Sequence, residues 1–102
     1  MAAIVAAIVP LAGVAGAAGT KTVTLKNIAF SPKSLSVSKA TKVTFAFRDD
    51  GTTHNVTSTG RTRFKTIGNR SSGSQVRTFS KAGTFRYQCT LHPGMTGRIV
   101  VR

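Results

Sequence analysis

Residues 87–101 read YQCTLHPGMTGRIVV. The stretch holds the chain's single cysteine, Cys89, then His92 three residues on and Met95 three beyond that. TFRYQC on one side and GRIVV on the other read as strands, and Pro93-Gly94 is the turn signal between them. A thiol, an imidazole and a thioether within one short loop leave two readings open: a soft-metal site, or a buried turn that has collected polarizable side chains.

Working outward, period-two alternation dominates. KTVTLKNI sets Val23 and Leu25 against Thr22, Thr24 and Lys26. SLSVS points Leu35 and Val37 inward, and KVTFAF repeats the pattern with Val43, Phe45 and Phe47. HNVTS, RFKTI and QVRTF continue the series, and fifteen threonines favour pleated structure over helix. Turn signals separate the runs at Ser31-Pro32, Lys39-Ala40, Asp49-Asp50-Gly51, Gly68-Asn69, Ser71-Ser72-Gly73 and Lys81-Ala82-Gly83. The pattern predicts an all-β, antiparallel, Greek-key sandwich of seven to eight strands. Residues 59–74, rich in Arg, Ser and Gly, are expected as a mobile loop.

The first nineteen residues, MAAIVAAIVPLAGVAGAAG, carry no charge, and every charged residue lies at Lys21 or later. The apolar run ending in Ala15-Gly16-Ala17 has the character of a signal peptide, possessing an h-region and an A-x-A cleavage site but no basic n-region, as a truncated start would leave it. An uncleaved membrane anchor is the alternative, since the run is about long enough to span a bilayer. Residues 20–102 are then expected to form one domain, exported to the periplasm, the cell surface or beyond.

So small an exported domain often relies on disulfides, and one cysteine cannot form an internal bridge. The thiol must be reactive, intermolecular or metal-bound, and a metal would also serve as the missing staple. Fifteen Lys and Arg face two acids, Asp49 and Asp50, for a net charge of +13. Two adjacent aspartates cannot make the separated carboxylate pair of a glycosidase or the oxygen cage of Ca²⁺ or Mg²⁺. The bases are scattered, which reads as a solvated surface with no specific nucleic-acid site.

Only two histidines exist, His54 and His92. His54 follows a turn where a strand begins, and strand ends on one rim of a sandwich meet in space. Cys89, His92, His54 and Met95 could therefore converge as two imidazoles, a thiolate and a weak thioether, the His₂Cys-plus-Met set of a blue-copper centre. Zinc seldom uses Met, iron–sulfur clusters need more cysteines, and C-x-x-C-H haem attachment is absent. Thiol-protease chemistry would need room between Cys89 and His92 that one tight loop does not leave. The bland readings are a buried small hydrophobe for Cys89, core packing for Met95, and turn residues for His92 and Asn55. Tyr87, Phe85 and Phe79 read simply as core.

YQCTLHPGM followed by TGRIVV, with HNV upstream, resembles the cupredoxin family of blue type 1 copper proteins. The C-x-x-H-x-x-M spacing is similar to the short ligand loop of amicyanin rather than the longer one of plastocyanin, and FSPKSLSVSKATKVTFAFRDDGTTHNV looks like the family's opening strands. The resemblance implies one copper ion held by His54, Cys89, His92 and Met95, with Asn55 bracing the ligand loop beside the cysteine sulfur. It also implies a monomeric single-electron carrier rather than an enzyme, docking redox partners through a patch that includes Leu91, Pro93 and Gly94 around His92. So basic a surface calls for partners with acidic docking faces, and for association with the anionic outer face of a membrane. A copper-delivery protein using the same ligands is the alternative, and a basic anion-binding sandwich is a third reading. Two departures limit the resemblance: Gln88 stands where plastocyanin has a tyrosine exit, and Ala40 replaces a common turn glycine.

Overall fold

Alternation of apolar and polar side chains becomes, in the computed structural model, a sandwich of two sheets; the structure describes residues 18–102. The expected targeting segment, residues 1–19, lies outside the described residues except for Ala18 and Gly19. The strands are β1 (Thr20–Leu25), β2 (Phe30–Ser31), β3 (Ser34–Val37), β4 (Thr41–Phe47), β5 (His54–Thr59), β6 (Ile67–Arg70), β7 (Ser74–Phe79), β8 (Gly83–Gln88) and β9 (Thr96–Val101). One sheet has the order β3-β9-β8-β5-β6 and the other β2-β1-β4-β7. The chain passes between them repeatedly, so the sandwich is not purely antiparallel as expected: β1 pairs β4 and β3 pairs β9 in parallel, while the remaining pairs run antiparallel.

Nine strands stand among the described residues where seven to eight were expected. The expected mobile loop, residues 59–74, contains β6, and Gly68-Asn69, expected as a turn, lies within it. Its start is also anchored. Phe64 packs on the core, stacking on Phe45 at 6.2 Å and meeting Phe79 edge-on at 5.3 Å. Ser58 both donates its N–H to Thr66 and accepts from the Phe64 N–H. Composition conceals this, because one half-buried aromatic packed on the core outweighs several polar neighbours in holding a segment.

Of the predicted inward residues, Val23, Leu25, Val37, Val43, Phe45 and Phe47 are buried between the sheets, whereas Leu35, on β3 at the sheet edge, is only half-buried against the core. Tyr87 is the hub, meeting Phe30 at 4.8 Å and Phe45 at 5.5 Å in edge-to-face contacts. It lies over Gly97, where a Cβ would come within 2.5 Å of its ring, so only glycine fits opposite it. Burial pushes the Tyr87 phenol well above the usual tyrosine range. Ala40, in the turn before β4, has φ of +70°. The family's glycine at such a turn has a physical reason, since a Cβ in the left-handed region costs about 1–2 kcal/mol.

Candidate metal centre

The C-x-x-H-x-x-M spacing is a pair of consecutive turns. His92 N–H donates to Cys89 C=O at 3.4 Å, and Met95 N–H donates to His92 C=O at 3.0 Å. Each three-residue step is therefore one i to i+3 turn. Pro93 and Gly94 occupy the central positions of the second, and Gly94 with φ of +90° gives it type II geometry. Cys89 N–H then donates to Met95 C=O at 2.9 Å, which closes the loop and joins β8 to β9 in register.

Three of the four sequence-nominated donors are brought together here. One donor atom each from His54, Cys89 and His92 lies within 4.8 Å of the others, and no other such trio of His, Cys, Asp or Glu occurs among the described residues. His54 opens β5, Cys89 follows β8, and β5 pairs β8, which carries the two side chains to one end of the five-stranded sheet. His54 is fully buried, Cys89 and Met95 nearly so, and His92 is half-buried with its ring 4.7 Å from that of His54. Met95 sits at the loop's closing bond.

Both imidazoles are oriented by outer partners. His54 Nε2 donates to Asp49 Oδ2 at 2.7 Å, leaving Nδ1 turned to Cys89 Sγ at 3.7 Å. His92 Nε2 donates to the Thr53 carbonyl at 3.2 Å; a carbonyl only accepts, so the proton is on Nε2 and Nδ1 keeps its lone pair. Held this way, each histidine offers Nδ1 as a ligand. Metal–ligand bonds of ~2.0–2.3 Å leave donor atoms roughly 3.5–4 Å apart, and the Sγ–Nδ1 separation has that value. The residues present therefore fit a small, soft-to-borderline ion with N and S ligands.

Asp49 escaped the sequence reading, which saw in it only a turn and an insufficient carboxylate pair. The turn is real, with Thr52 N–H bonded to Asp49 C=O, and it folds the carboxylate back onto the histidine five residues later. The same carboxylate accepts the N–H groups of Asn27 and Ile28 at 3.0 and 2.9 Å. Those two residues form the hairpin turn between β1 and β2 with φ of +54° and +53°, a costly conformation for a β-branched side chain. The hydrogen bond from His54, with those from the Ile28 and Asn27 backbone, holds the Asp49 carboxyl below its usual range. One signal pointed to it: it is one of two acids in a chain of fifteen bases, just ahead of a histidine.

Asn55 lies beside the sulfur and ties three segments together. Its N–H points at Cys89 Sγ at 3.5 Å, and its side-chain amide donates to Thr90 Oγ1 and Asn69 Oδ1. Its side-chain carbonyl accepts from Thr90 N–H and Thr57 Oγ1. Asn69, in the unexpected strand β6, thus has a task in the scaffold of the site. Of the three large apolar side chains exposed among the described residues, Leu91 lies in the ligand loop and Ile28 in the turn tied to Asp49.

The chain resembles known proteins in the same way. A model of the cupredoxin-like domain matches residues 1–101. A reduced Cu(I) form of an amicyanin variant at pH 4 superposes with a TM-score of 0.74 at 28% identity, covering 84% of this chain and 85% of that one. An oxidised amicyanin variant gives a TM-score of 0.74 at 27% identity, covering 82% and 83%. A purple cupredoxin from Nitrosopumilus maritimus shares the fold at a TM-score of 0.70 and 20% identity, covering 80% of this chain and 99% of that one. No curated protein sequence matches. A two-sheet sandwich with a Cys-His-Met turn pair at one rim, and a family match over nearly its whole length, mean that this chain belongs to the cupredoxin-like domain family.

Proposed function

We propose that the protein binds one copper ion through His54 Nδ1, Cys89 Sγ, His92 Nδ1 and the Met95 sulfur, and carries single electrons between larger redox proteins. The observation that carries the reading is the convergence of a buried free thiol with two imidazoles whose Nε2 atoms are already engaged. Thiolate and thioether suit Cu(I), imidazole suits Cu(II), and a site acceptable to both supplies reversible one-electron chemistry.

The chain's own contribution is to keep the donors still. Asp49 and Thr53 fix the two rings, the Asn55 N–H holds the sulfur, and the paired turns set the distance from Cys89 to Met95. Little then moves when an electron arrives. Burial excludes water from Cys89 and His54, so the thiolate is protected from oxidation and exchange. His92 alone is half-exposed and is the electron port, with Leu91 and Ile28 as apolar contacts for a docking partner. A net charge of +13 favours partners with acidic faces, and association then slows as salt rises. A carrier of this kind has no substrate site, is not an enzyme, and works in an exported, periplasmic or cell-surface setting.

The test is to load the protein with Cu(II) and record the visible spectrum. An intense thiolate-to-copper charge-transfer band that disappears in Cys89→Ser and cycles reversibly on reduction supports the reading. A colourless protein, or a band that survives Cys89→Ser, overturns it.

A further inference from the structure

The closing bond between Cys89 and Met95 sets more than the metal loop. It fixes the register of β8 against β9, and in that register Arg86 lies directly opposite Arg98. Ser34 pairs Arg98 on one side and Thr59 pairs Arg86 on the other, so a single row crosses four strands: Ser34, Arg98, Arg86, Thr59. The alternating neighbours Phe85 and Ile99 are buried, which turns both arginines to the outer face of the five-stranded sheet. Like charges directly opposite each other on a sheet destabilise it.

Among the described residues no carboxylate relieves this pair. The row lines a groove of about 470 Å³ that also takes in Lys33 and Thr96, and its walls contain no acid. Asp49 is engaged with His54, Asn27 and Ile28, and Asp50 is the only other carboxylate side chain. Arg98 Nε donates to Ser34 Oγ at 3.0 Å, while the side chains of Arg86 and Lys33 meet no partner among the described residues. Tyr87, which alternates with Arg86, points the other way, into the core against Phe30 and Phe45, and takes no part in the groove's polar lining.

We propose that this groove is a binding site for a multiply charged oxyanion of the phosphate class. Arg86 and Arg98 grip it from adjacent strands, Lys33 adds a third positive charge, and the hydroxyls of Ser34, Thr59 and Thr96 complete its oxygens. Paired guanidiniums match the oxygen fork of a phosphate, and one carboxylate carries too little charge to neutralise three cations. The site is separate from the donor set, being on the outer face of the sheet where Cys89 and His54 are buried. It stands whether or not copper binds.

The ligand's source, a soluble phosphate compound or the phosphomonoester headgroups of a membrane, is decided by two arms of one experiment. The full chain is titrated at constant ionic strength with pyrophosphate, and separately with vesicles of phosphatidic acid diluted in phosphatidylcholine. Amide chemical shifts and calorimetry are the readouts. The expected result in at least one arm is saturable binding, with shifts confined to Arg86, Thr96, Arg98 and Lys33. Arg86→Gln and Arg98→Gln should each weaken it at least about tenfold, the loss of one charge-assisted contact. Lys42→Gln, which removes the same charge from the exposed face of the other sheet, should weaken it less than about twofold. Pyrophosphate binding identifies the soluble source, and vesicle binding alone identifies the membrane. Equal losses in all three variants, non-saturating binding in both arms, or pair-dependent binding of polyglutamate without either phosphate probe would overturn the proposal.

Discussion

The hairpin of β8 and β9 carries two polar regions of opposite design. At its tip, the side chains of Asn55, Asp49 and His54 and the amides of Cys89, Thr90, His92 and Met95 are hydrogen-bonded, several of the groups twice over. A few residues along the same strands, Arg86 faces Arg98 on the outer face without a counter-charge, while on the inner face the Tyr87 hydroxyl is buried without a partner among the described residues. The tip is finished by the chain itself, which is what a rigid centre with small reorganisation requires. The outer face is finished only by something the chain does not supply. Satisfied and unsatisfied polar groups thus separate a preorganised site from an open one within a single hairpin.

The contrast can be broken most severely at Asn55. Asn55→Ala removes the donor and acceptor that join β5, β6 and the ligand loop and leaves Thr90 N–H to find a new partner. It should cost about 3 kcal/mol in denaturant unfolding. A loss under about 1 kcal/mol would mean that the tip is not held by this network. Gly97→Ala comes next, because the new Cβ would sit 2.5 Å from the Tyr87 ring and the hub must move. About 2 kcal/mol of destabilisation is expected by thermal or denaturant melting, and an unchanged midpoint would contradict the close packing described.

Acid addresses the Asp49 link. Its carboxyl is held below the usual range chiefly by the hydrogen bond from His54, so its contribution is fully present above the ordinary carboxylate value of ~3.9 and is lost as pH falls from there through the lowered value. Metal-free wild type should therefore lose stability relative to Asp49→Asn only below about pH 4. Parallel stability curves for the two proteins across that window would refute the link. The smallest effect is expected at the unfinished region. Tyr87→Phe deletes a hydroxyl with no partner and should change stability by less than about 0.5 kcal/mol, or raise it. A loss beyond about 1.5 kcal/mol would show that the hydroxyl is bonded after all.

The difference between the two regions also explains what could be read from the chain. The donors were legible because chemistry narrows the uses of an unpaired cysteine with His and Met at three-residue steps, and the strands because Val, Phe and Thr alternate. Asp49 was not, since its part depends on a turn that brings it back to His54. Strand β6 was hidden by Gly68-Asn69, which has turn composition yet extends so that Asn69 can reach Asn55. The opposition of Arg86 and Arg98 is invisible without register, and register follows from the length of the metal loop. What escapes the sequence is pairing across strands; what it displays is the chemistry of single residues and their local spacing.

The central claim is that His54, Cys89, His92 and Met95 hold one copper ion. X-ray absorption at the copper edge of the loaded protein tests it most directly. Two nitrogens and one short sulfur in the coordination shell, with the sulfur lost in Cys89→Ser, are the result predicted here. A shell of nitrogen and oxygen alone, unchanged by that substitution, would contradict it.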